Sequence, residues 1–206
     1  MKDNSTHFPM LVNLQGRKCL VAGAGKVAEA KIAGLLRCGA RVQVVSPRAT
    51  ARIQSLAAAG AIVWRRQRFS PRDVEGAFLA VAATRSSQIN GAVFRACAAR
   101  GILCNAVDDP RHCDFFYPAV VRRGPLQIAI STGGCSPALA SRLRRELERR
   151  YGPEWVPWVK ELGRRRNRLL AENLPAPERK QKLLSMVTPQ AFRAFQRRRR
   201  RPAHGA

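Results

Sequence analysis

The chain has 206 residues, enough for one large domain or for one domain with an appendage. Its composition, 46% hydrophobic and 6% aromatic, is ordinary for a globular protein and excludes an intrinsically disordered chain. The formal net charge of +25 at pH 7 predicts attraction to polyanions, such as nucleic acid, anionic lipid or a substrate with several carboxylates. Residues 121–206 hold the larger excess, with 21 Lys or Arg against 6 Asp or Glu.

The six cysteines show neither a C-x-x-C pair nor the spacing of a zinc site. Three of them, Cys19, Cys97 and Cys104, fall inside apolar segments and are interpreted as small buried thiols. Residues 1–12 lack a secretory leader pattern, and no apolar run approaches the about 18 residues of a membrane helix. We therefore expect a soluble, cytoplasmic protein without a membrane partner.

A glycine turn joins the first predicted strand, 19–22, to the first predicted helix. Gly23, Gly25 and Ala28 form the pattern G-x-G-x-x-A, which is typical of dinucleotide-binding proteins. Gly23 is expected to make the tight turn, and Gly25 to let the backbone approach a pyrophosphate facing the first helical amides. Ala28 is expected to allow close packing of helix on strand. A glycine turn that binds nothing is the alternative, but the flanking strand and helix favour dinucleotide binding.

The following elements alternate between strand and helix. Strands are predicted at 42–45, 61–64, 78–83 and 102–107, with helices at 51–59 and between 86 and 101. Five strands alternating with helices predict an α/β fold with an open, doubly wound parallel sheet of the Rossmann type.

The pattern changes near residue 118. Segments 119–121 and 126–131 flank a turn, and alternation of apolar and polar residues in the second predicts an antiparallel hairpin. Ser136-Pro137 begins a helix whose apolar stripe, Leu139, Leu143 and Leu147, suits either a dimer contact or packing within the chain. From residue 152 the chain is predicted to be helical, with breaks at Pro157, at 175–177 and at Pro189. The five arginines 197–201 are interpreted as a solvated tail.

Candidate ligand residues follow the strands, because open parallel sheets bind ligands beyond the carboxyl ends of their strands. They are Gly23, Gly25, Lys26, Val27, Ser46, Pro47, Arg48, Thr84 and residues 105–110. The carboxylate that binds an adenosine ribose, expected about 20 residues past the glycines, is missing. Ser46 and Arg48 stand in its place, which suits either a 2′-phosphate or an ordinary helix lead-in, so NAD and NADP both remain open.

Titratable residues concentrate after the fifth strand. Asp108, Asp109, His112, Cys113 and Asp114 could serve a turn as well as a site, and a metal site from Asp108, His112 and Cys113 lacks a recognised spacing. An aspartate facing a nicotinamide pocket would be a natural proton acceptor. The later turn Ser131-Thr132-Gly133-Gly134 is either a flexible connector or a cradle for carboxylates at a helix N-terminus.

Several ordered motifs resemble the precorrin-2 dehydrogenase / sirohydrochlorin ferrochelatase family, the N-terminal module of siroheme synthases. They lie within residues 7–150 and are Phe-Pro-Met-Leu-Val-Asn-Leu from residue 8, Val-Ala-Gly-Ala-Gly-Lys-Val-Ala-Glu-Ala-Lys from 21, Cys-Asn-Ala-Val-Asp-Asp-Pro from 104, Phe-Phe-Tyr-Pro-Ala from 115, and Ile-Ala-Ile-Ser-Thr-Gly-Gly-Cys-Ser-Pro-Ala-Leu-Ala from 128.

The resemblance implies NAD-dependent oxidation of precorrin-2 to sirohydrochlorin and, in some members, insertion of Fe²⁺ as a substrate to give siroheme. It implies a Rossmann domain (1–117), a dimerisation region (118–151) and a helical C-terminal domain with a basic tail (152–206), assembled as a homodimer. The family's essential aspartate matches Asp108. Its cofactor contacts match Gly23, Gly25, Lys26, Val27, Pro47 and Arg48, to which we add Thr84. Its active-site hydroxyl matches Thr132, and we assign Ser131 and Gly133 with it to the tetrapyrrole substrate.

The sequence departs from the family at two positions. Arg48 stands where the family usually has an acidic residue, which leaves the coenzyme open, and the family does not fix a histidine at His112. The rival interpretation is a nucleotide-sensing or nucleic-acid-binding Rossmann module, and a catalytically inactive relative is a third. We favour the enzyme, with arginines from the hairpin and helices binding the substrate's carboxylates and with no nucleic-acid partner.

Overall fold

The structure, a computed structural model, describes residues 7–200. Its chain contacts define two compact units, one formed by Phe8–Tyr117 and one by the described residues from Pro118 onward. Within residues 7–200, no helix has the length and apolar character needed to cross a membrane.

The first unit is built on five parallel strands in the order β3-β2-β1-β4-β5. The strands are β1 Lys18–Ala22, β2 Arg41–Val45, β3 Val63–Arg65, β4 Leu79–Ala82 and β5 Leu103–Ala106. The predicted doubly wound parallel sheet is therefore confirmed. The third strand begins later than predicted, because the N–H of Ala61 still closes the preceding helix by donating to the carbonyl of Leu56.

Three helices cover the two faces of this sheet. They are α1 Lys26–Arg37, α2 Ala51–Ala58 and α3 Ser87–Ala98. Helices α1 and α2 bury Ile32, Leu35 and Ile53 against one face, while α3 buries Val93 and Cys97 against the other. Burial on both faces explains why the strand segments are almost continuously apolar. Strand order reverses between β1 and β4, so a crevice opens at their carboxyl ends.

The second unit begins with the predicted antiparallel hairpin, β6 Ala119–Arg123 and β7 Leu126–Ile130. Four helices follow: α4 Pro137–Arg150, α5 Trp155–Ala171, α6 Ala176–Ser185 and α7 Pro189–Arg200. The guanidinium of Arg123 fastens the hairpin to α4 by donating to the carbonyls of Glu148 and Tyr151, at 2.9 and 2.6 Å. Trp158, which is buried, packs its ring against Phe192 and Phe195 of α7.

Two predictions for the helical region are wrong. Pro157 does not break a helix, since it lies in the first turn of α5, where a residue without an N–H removes no intrahelical hydrogen bond. Arginines 197–200 continue α7 instead of forming a tail, while residues 201–206 lie outside the described part of the chain. The breaks near Pro175 and Pro189 are confirmed, because α6 begins after the first and α7 begins at the second.

Candidate functional site

The bend after β1 requires glycine at its first position. Gly23 has φ +103°, and its N–H donates to the carbonyl of Val45 at 2.9 Å. A Cβ at this residue would lie 2.4 Å from the carbonyl oxygen of Ala83, in the loop after β4. The predicted unusual dihedral angles are therefore confirmed, and close approach of the neighbouring loop adds a second reason for glycine.

The second glycine of the bend faces open space. Gly25 is the N-cap of α1, with φ −90°, and a Cβ there would meet nothing within 4 Å. No side chain caps this helix end, so its first amides are available to an anion. Lys26 and Val27 are exposed beside it, whereas Ala28 is fully buried against the sheet. These features fit a pyrophosphate on the first turn of α1.

The loop after β2 lies next to the bend, because the N–H of Thr50 donates to the carbonyl of Ala24 at 3.1 Å. Its Ser46 hydroxyl donates to the carbonyl of Arg48 at 2.7 Å and shapes the turn, while Thr50 caps α2. Pro47 and Arg48 are exposed. At the position expected to face an adenosine ribose, this loop therefore exposes the guanidinium of Arg48 and lacks a carboxylate.

The loop after β4 is closed by a residue that the sequence analysis missed. Asn90 is buried in α3, and its amide accepts from the N–H of Thr84 at 3.1 Å and from its hydroxyl at 2.7 Å. Thr84 thus lies beside the glycine bend with its hydroxyl already bonded. The signal for Asn90 was a polar residue on the same helical face as Val93 and Cys97.

Asp108 directly follows β5, at the same edge of the sheet as the glycine bend. It has φ +61° and is the only non-glycine residue with positive φ among residues 7–200. Aspartate tolerates this left-handed conformation better than most residues. The side chain is exposed.

Residues 107–117 fold back along β5 and hold Asp108 in place. The thiol of Cys113 lies 3.1 Å from the carbonyl of Ala106 and 3.2 Å from that of Asp109, on either side of Asp108. The Asp114 carboxylate accepts from the N–H of Cys104 at 2.8 Å. Asn105, a sequence candidate, is buried within β5 and donates to the carbonyl of Phe115, which ties this loop to the strand.

The two remaining titratable residues of this loop, Asp109 and His112, bond to each other and stabilise the turn. Asp109 and His112 are joined at 2.6 Å, and this hydrogen bond holds the pKa of the Asp109 carboxyl below its usual range. The imidazole also packs against the ring of Phe94. Within residues 7–200, no three His, Cys, Asp or Glu side chains gather as metal ligands, so the structure does not assemble the metal site considered for Asp108, His112 and Cys113.

The predicted carboxylate cradle lies in the second unit, at the start of α4. The hydroxyl of Thr132 accepts from the N–H of Ser136, and the hydroxyl of Ser136 caps the helix at Leu139. Ser131 and Gly133 are exposed, as is the neighbouring thiol of Cys135. The turn is therefore internally bonded, and its role toward a substrate stays a prediction.

The second unit also contains a basic cavity that the sequence analysis did not identify. Its volume is about 660 Å³, and its lining includes Phe195 and the cations Lys160, Arg164 and Arg199. Arg164 pairs with Glu161 at 2.9 Å, whereas Lys160 and Arg199 form no ion pair with another of residues 7–200. Two unpaired cations beside an aromatic ring suit an anionic ligand.

Comparison with known proteins establishes the family. The family described as "Putative NAD(P)-binding" matches residues 10–119, more than half of the chain. The chain belongs to this NAD(P)-binding family. A second family, described as "Sirohaem biosynthesis protein central", matches residues 123–150, which include β7 and α4.

Curated relatives of this NAD(P)-binding protein include proteins named siroheme synthase. The protein of Nitrosococcus oceani is 40% identical over 142 residues, which are 69% of this chain and 30% of that protein. The protein of Neisseria meningitidis serogroup C is 36% identical over 174 residues, or 84% of this chain and 36% of the relative. The chain thus spans about a third of the length of these relatives.

A solved structure titled "SirC, precorrin-2 dehydrogenase" resembles the chain over almost its whole length. The TM-score is 0.79 at 27% identity, and the match covers 94% of this chain and 96% of that one. Together with the siroheme synthase relatives, this match confirms the family resemblance predicted from the motifs.

Proposed function

We propose that this protein oxidises precorrin-2 to sirohydrochlorin with a nicotinamide coenzyme. The observation that carries the proposal is the placement of Asp108 at the sheet edge that also holds the Gly23–Gly25 bend, in a chain similar to a precorrin-2 dehydrogenase. The two features are separated by one strand, β4, and neighbouring strands lie about 4.8 Å apart. This separation suits a coenzyme that lies across the edge.

The coenzyme would be held by the residues around the bend. Gly25, Lys26 and Val27 would contact its pyrophosphate, with Gly23 and Thr84 shaping the crevice and with Pro47 and Arg48 near its adenosine end. When bound, it would supply the hydride acceptor of the reaction. NAD⁺ is the proposed coenzyme, and the exposed Arg48 makes NADP⁺ the alternative to compare with it.

The residues of the chain would bind the substrate and move a proton. Oxidation removes a hydride and a proton from the macrocycle, so NADH forms and a base must accept the proton. Asp108 is the proposed base, and its exposure lets the proton leave to solvent. Thr132, with Ser131, Gly133 and nearby arginines, would bind the substrate's carboxylates.

Replacing Asp108 by asparagine tests this assignment. Asparagine tolerates the positive φ and keeps the side-chain size, but it cannot accept the proton. We expect D108N to lose at least about 100-fold in NADH formation from precorrin-2 under anaerobic conditions, within the usual contribution of a general base. Affinity for NAD⁺, measured by calorimetry, should stay unchanged.

D109N is the matched control, because Asp109 is bonded to His112. We expect it to keep most of the activity. Wild-type turnover by D108N would contradict the role of Asp108, and absence of NADH formation by the wild-type protein with either coenzyme would contradict the proposed function.

Iron insertion is a second proposal, favoured by relatives named siroheme synthase and by the match to a sirohaem biosynthesis family. Fe²⁺ would be the substrate, and Asp108 would accept pyrrolic protons. Adding Fe²⁺ or Co²⁺ after oxidation should produce the spectrum of the metallated macrocycle faster than without protein. An equal rate with and without protein would restrict the activity to dehydrogenation.

A further inference from the structure

The turn that carries Asp108 has a conformation that aspartate rarely adopts. The N–H of Asp109 donates to the carbonyl of Ala106 at 3.3 Å, which closes a four-residue β-turn over residues 106–109. Asp108 is the third residue of this turn and has φ +61°, whereas the second residue, Val107, does not have a positive φ. This is the pattern of a type II turn, whose third position normally belongs to glycine or asparagine. An aspartate there costs conformational free energy, so contacts with neighbouring residues must hold the turn closed.

The thiol of Cys113 contacts both ends of this turn. Its sulfur lies 3.1 Å from the carbonyl oxygen of Ala106, the first residue, and 3.2 Å from that of Asp109, the last. A thiol has one proton, so it shares one hydrogen bond between these two oxygens. Burial raises the pKa of the Cys113 thiol above its ordinary value, so the sulfur keeps this proton at neutral pH.

The sulfur is also held from the side of the sheet. The amide of Asn105, which is buried in β5, donates to the sulfur of Cys113 at 3.3 Å and to the carbonyl of Phe115 at 2.8 Å. The backbones of Asn105 and Cys113 pair in an isolated antiparallel bridge. Cys113 thus connects the exposed turn to a strand whose position is set by the core.

We propose that Cys113 is a positioning residue for Asp108, because its thiol holds the turn of residues 106–109 in the conformation that sets the direction of the Asp108 side chain. The rotamers open to a side chain depend on its backbone dihedral angles, so relaxation of the turn to a negative φ would move the carboxylate. This inference rests on the proposed function, since it assigns the work of Cys113 to the proton transfer by Asp108. Misplacement of a reacting group by about 1 Å can cost on the order of 100-fold in rate.

The test compares C113A with C113S in the full-length protein. Alanine removes the thiol and both of its contacts with the turn, whereas a serine hydroxyl still has a proton to donate to a carbonyl. We expect kcat for precorrin-2 oxidation to fall about 10- to 100-fold in C113A, with KM for NAD⁺ changed less than about twofold. C113S should be at least several-fold faster than C113A.

C113V provides a second variant if C113A does not fold. Valine fills the space of the thiol and suits the extended backbone of Cys113, with φ −129° and ψ 118°, but it donates no proton. It should lose as much kcat as C113A.

C38A is the matched control, because Cys38 is also half-buried but follows the last residue of α1, at the amino ends of the strands. It should keep the wild-type kcat, even if the loss of packed atoms lowers Tm. A wild-type kcat in folded C113A or C113V, or equal losses in C113A and C38A, would overturn the proposal.

A double variant distinguishes positioning from general damage to the protein. If Cys113 acts through the Asp108 carboxylate, C113A should lower kcat no further once D108N has removed that carboxylate. A loss from C113A that is as large in the D108N background as in wild type would show that Cys113 acts elsewhere, and would also overturn the proposal.

A measurement without turnover separates this proposal from the proposed function. A positive φ brings the amide and α protons of a residue close together, which gives a strong nuclear Overhauser effect between them. This effect should be strong at Asp108 in wild type and in C38A, and should weaken in C113A. If wild type forms no NADH but the effect weakens in C113A, the function fails while the hold of Cys113 on the turn stands. If wild type is active and the effect is unchanged in C113A, the role of Cys113 is wrong and the function holds.

Discussion

Gly23 and Gly25 lie two positions apart, yet they are glycine for different physical reasons. At Gly23 a methyl group would both strain the backbone, at φ +103°, and collide with the carbonyl of Ala83. At Gly25 a methyl group would strain nothing in the protein and would point into open space. A ligand approaching the first turn of α1 would occupy that space.

This contrast predicts different consequences for two identical substitutions. G23A should lower the unfolding free energy by about 2 kcal/mol or more and Tm by at least about 4 °C, because the added methyl group strains and crowds the folded chain. G25A should leave Tm unchanged but weaken NAD⁺ binding at least about tenfold, because its methyl group displaces the pyrophosphate. Thermal unfolding and calorimetric titration check both expectations.

Comparing G23A with G25A separates an effect on folding from an effect on coenzyme binding. NAD⁺ binding by G25A equal to wild type would show that the open face of the bend is not the coenzyme site. A lower Tm for G25A would show instead that the folded chain does not tolerate a methyl group there.

Among the helices and strands, patterns of neighbouring residues predicted the features that depend only on residues close in sequence. The apolar strand segments and the turn glycines were sufficient to predict the parallel sheet. Strands buried on both faces and joined by right-handed crossover helices leave few alternative arrangements. The proline prediction failed at Pro157 because the effect of proline depends on its place in the helix, which composition does not give.

The candidate site was predictable only in part for the same reason. Gly23 and Asp108 follow strands, and strand ends are visible in the sequence. Lys31 lies over the ring of Tyr117, and no local pattern pairs residues so far apart in the chain. Asn90 is close to Thr84 in sequence, but the hydrogen bonds between them depend on the loop folding back onto the first turn of α3. Such pairs become visible once the fold places them together.

Helix α4 bears on the predicted homodimer. Its apolar stripe remains partly uncovered, since Leu139 is 40% exposed while Leu143 and Leu147 are half-buried. A second copy of the chain would bury this stripe and gain hydrophobic stabilisation. The dimer stays a prediction, and α4 is the element on which we place it.

A charge in the stripe tests this placement. We expect L139E to sediment as a monomer at concentrations where wild type sediments as a dimer, because a carboxylate cannot be buried unpaired in the interface. S141E places the same charge on an exposed position of α4 and should remain dimeric. Dimerisation by L139E, or a monomeric wild type, would contradict an interface on α4.

The charge of the whole molecule complements the proposed substrate more than the coenzyme. With a net charge of +25, the protein attracts a macrocycle carrying many carboxylates, and this attraction is screened by salt. The Debye length falls from about 10 Å at 0.1 M to about 3 Å at 1 M salt. A nucleic-acid partner, which the same charge would also suit, remains outside our prediction.

Ionic strength should therefore act on the two ligands unequally. We expect KM for precorrin-2 to rise several-fold between about 0.1 M and 1 M salt, with a smaller change for NAD⁺ and little change in kcat. The double variant R164Q/R199Q should raise KM for precorrin-2 at low salt, whereas K180Q, on an exposed position of α6, should not. Equal salt dependence for both ligands would contradict electrostatic recognition of the substrate.

All six cysteines are free thiols, and Cys135 is the exposed one. It directly follows the Ser131–Gly134 turn, while Cys19, Cys97 and Cys104 are buried in the sheet unit. A maleimide dye would thus react first beside that turn, ahead of the half-buried thiols of Cys38 and Cys113. The native chain thus contains its own labelling site, and quenching of the dye's fluorescence would report binding of the proposed tetrapyrrole substrate.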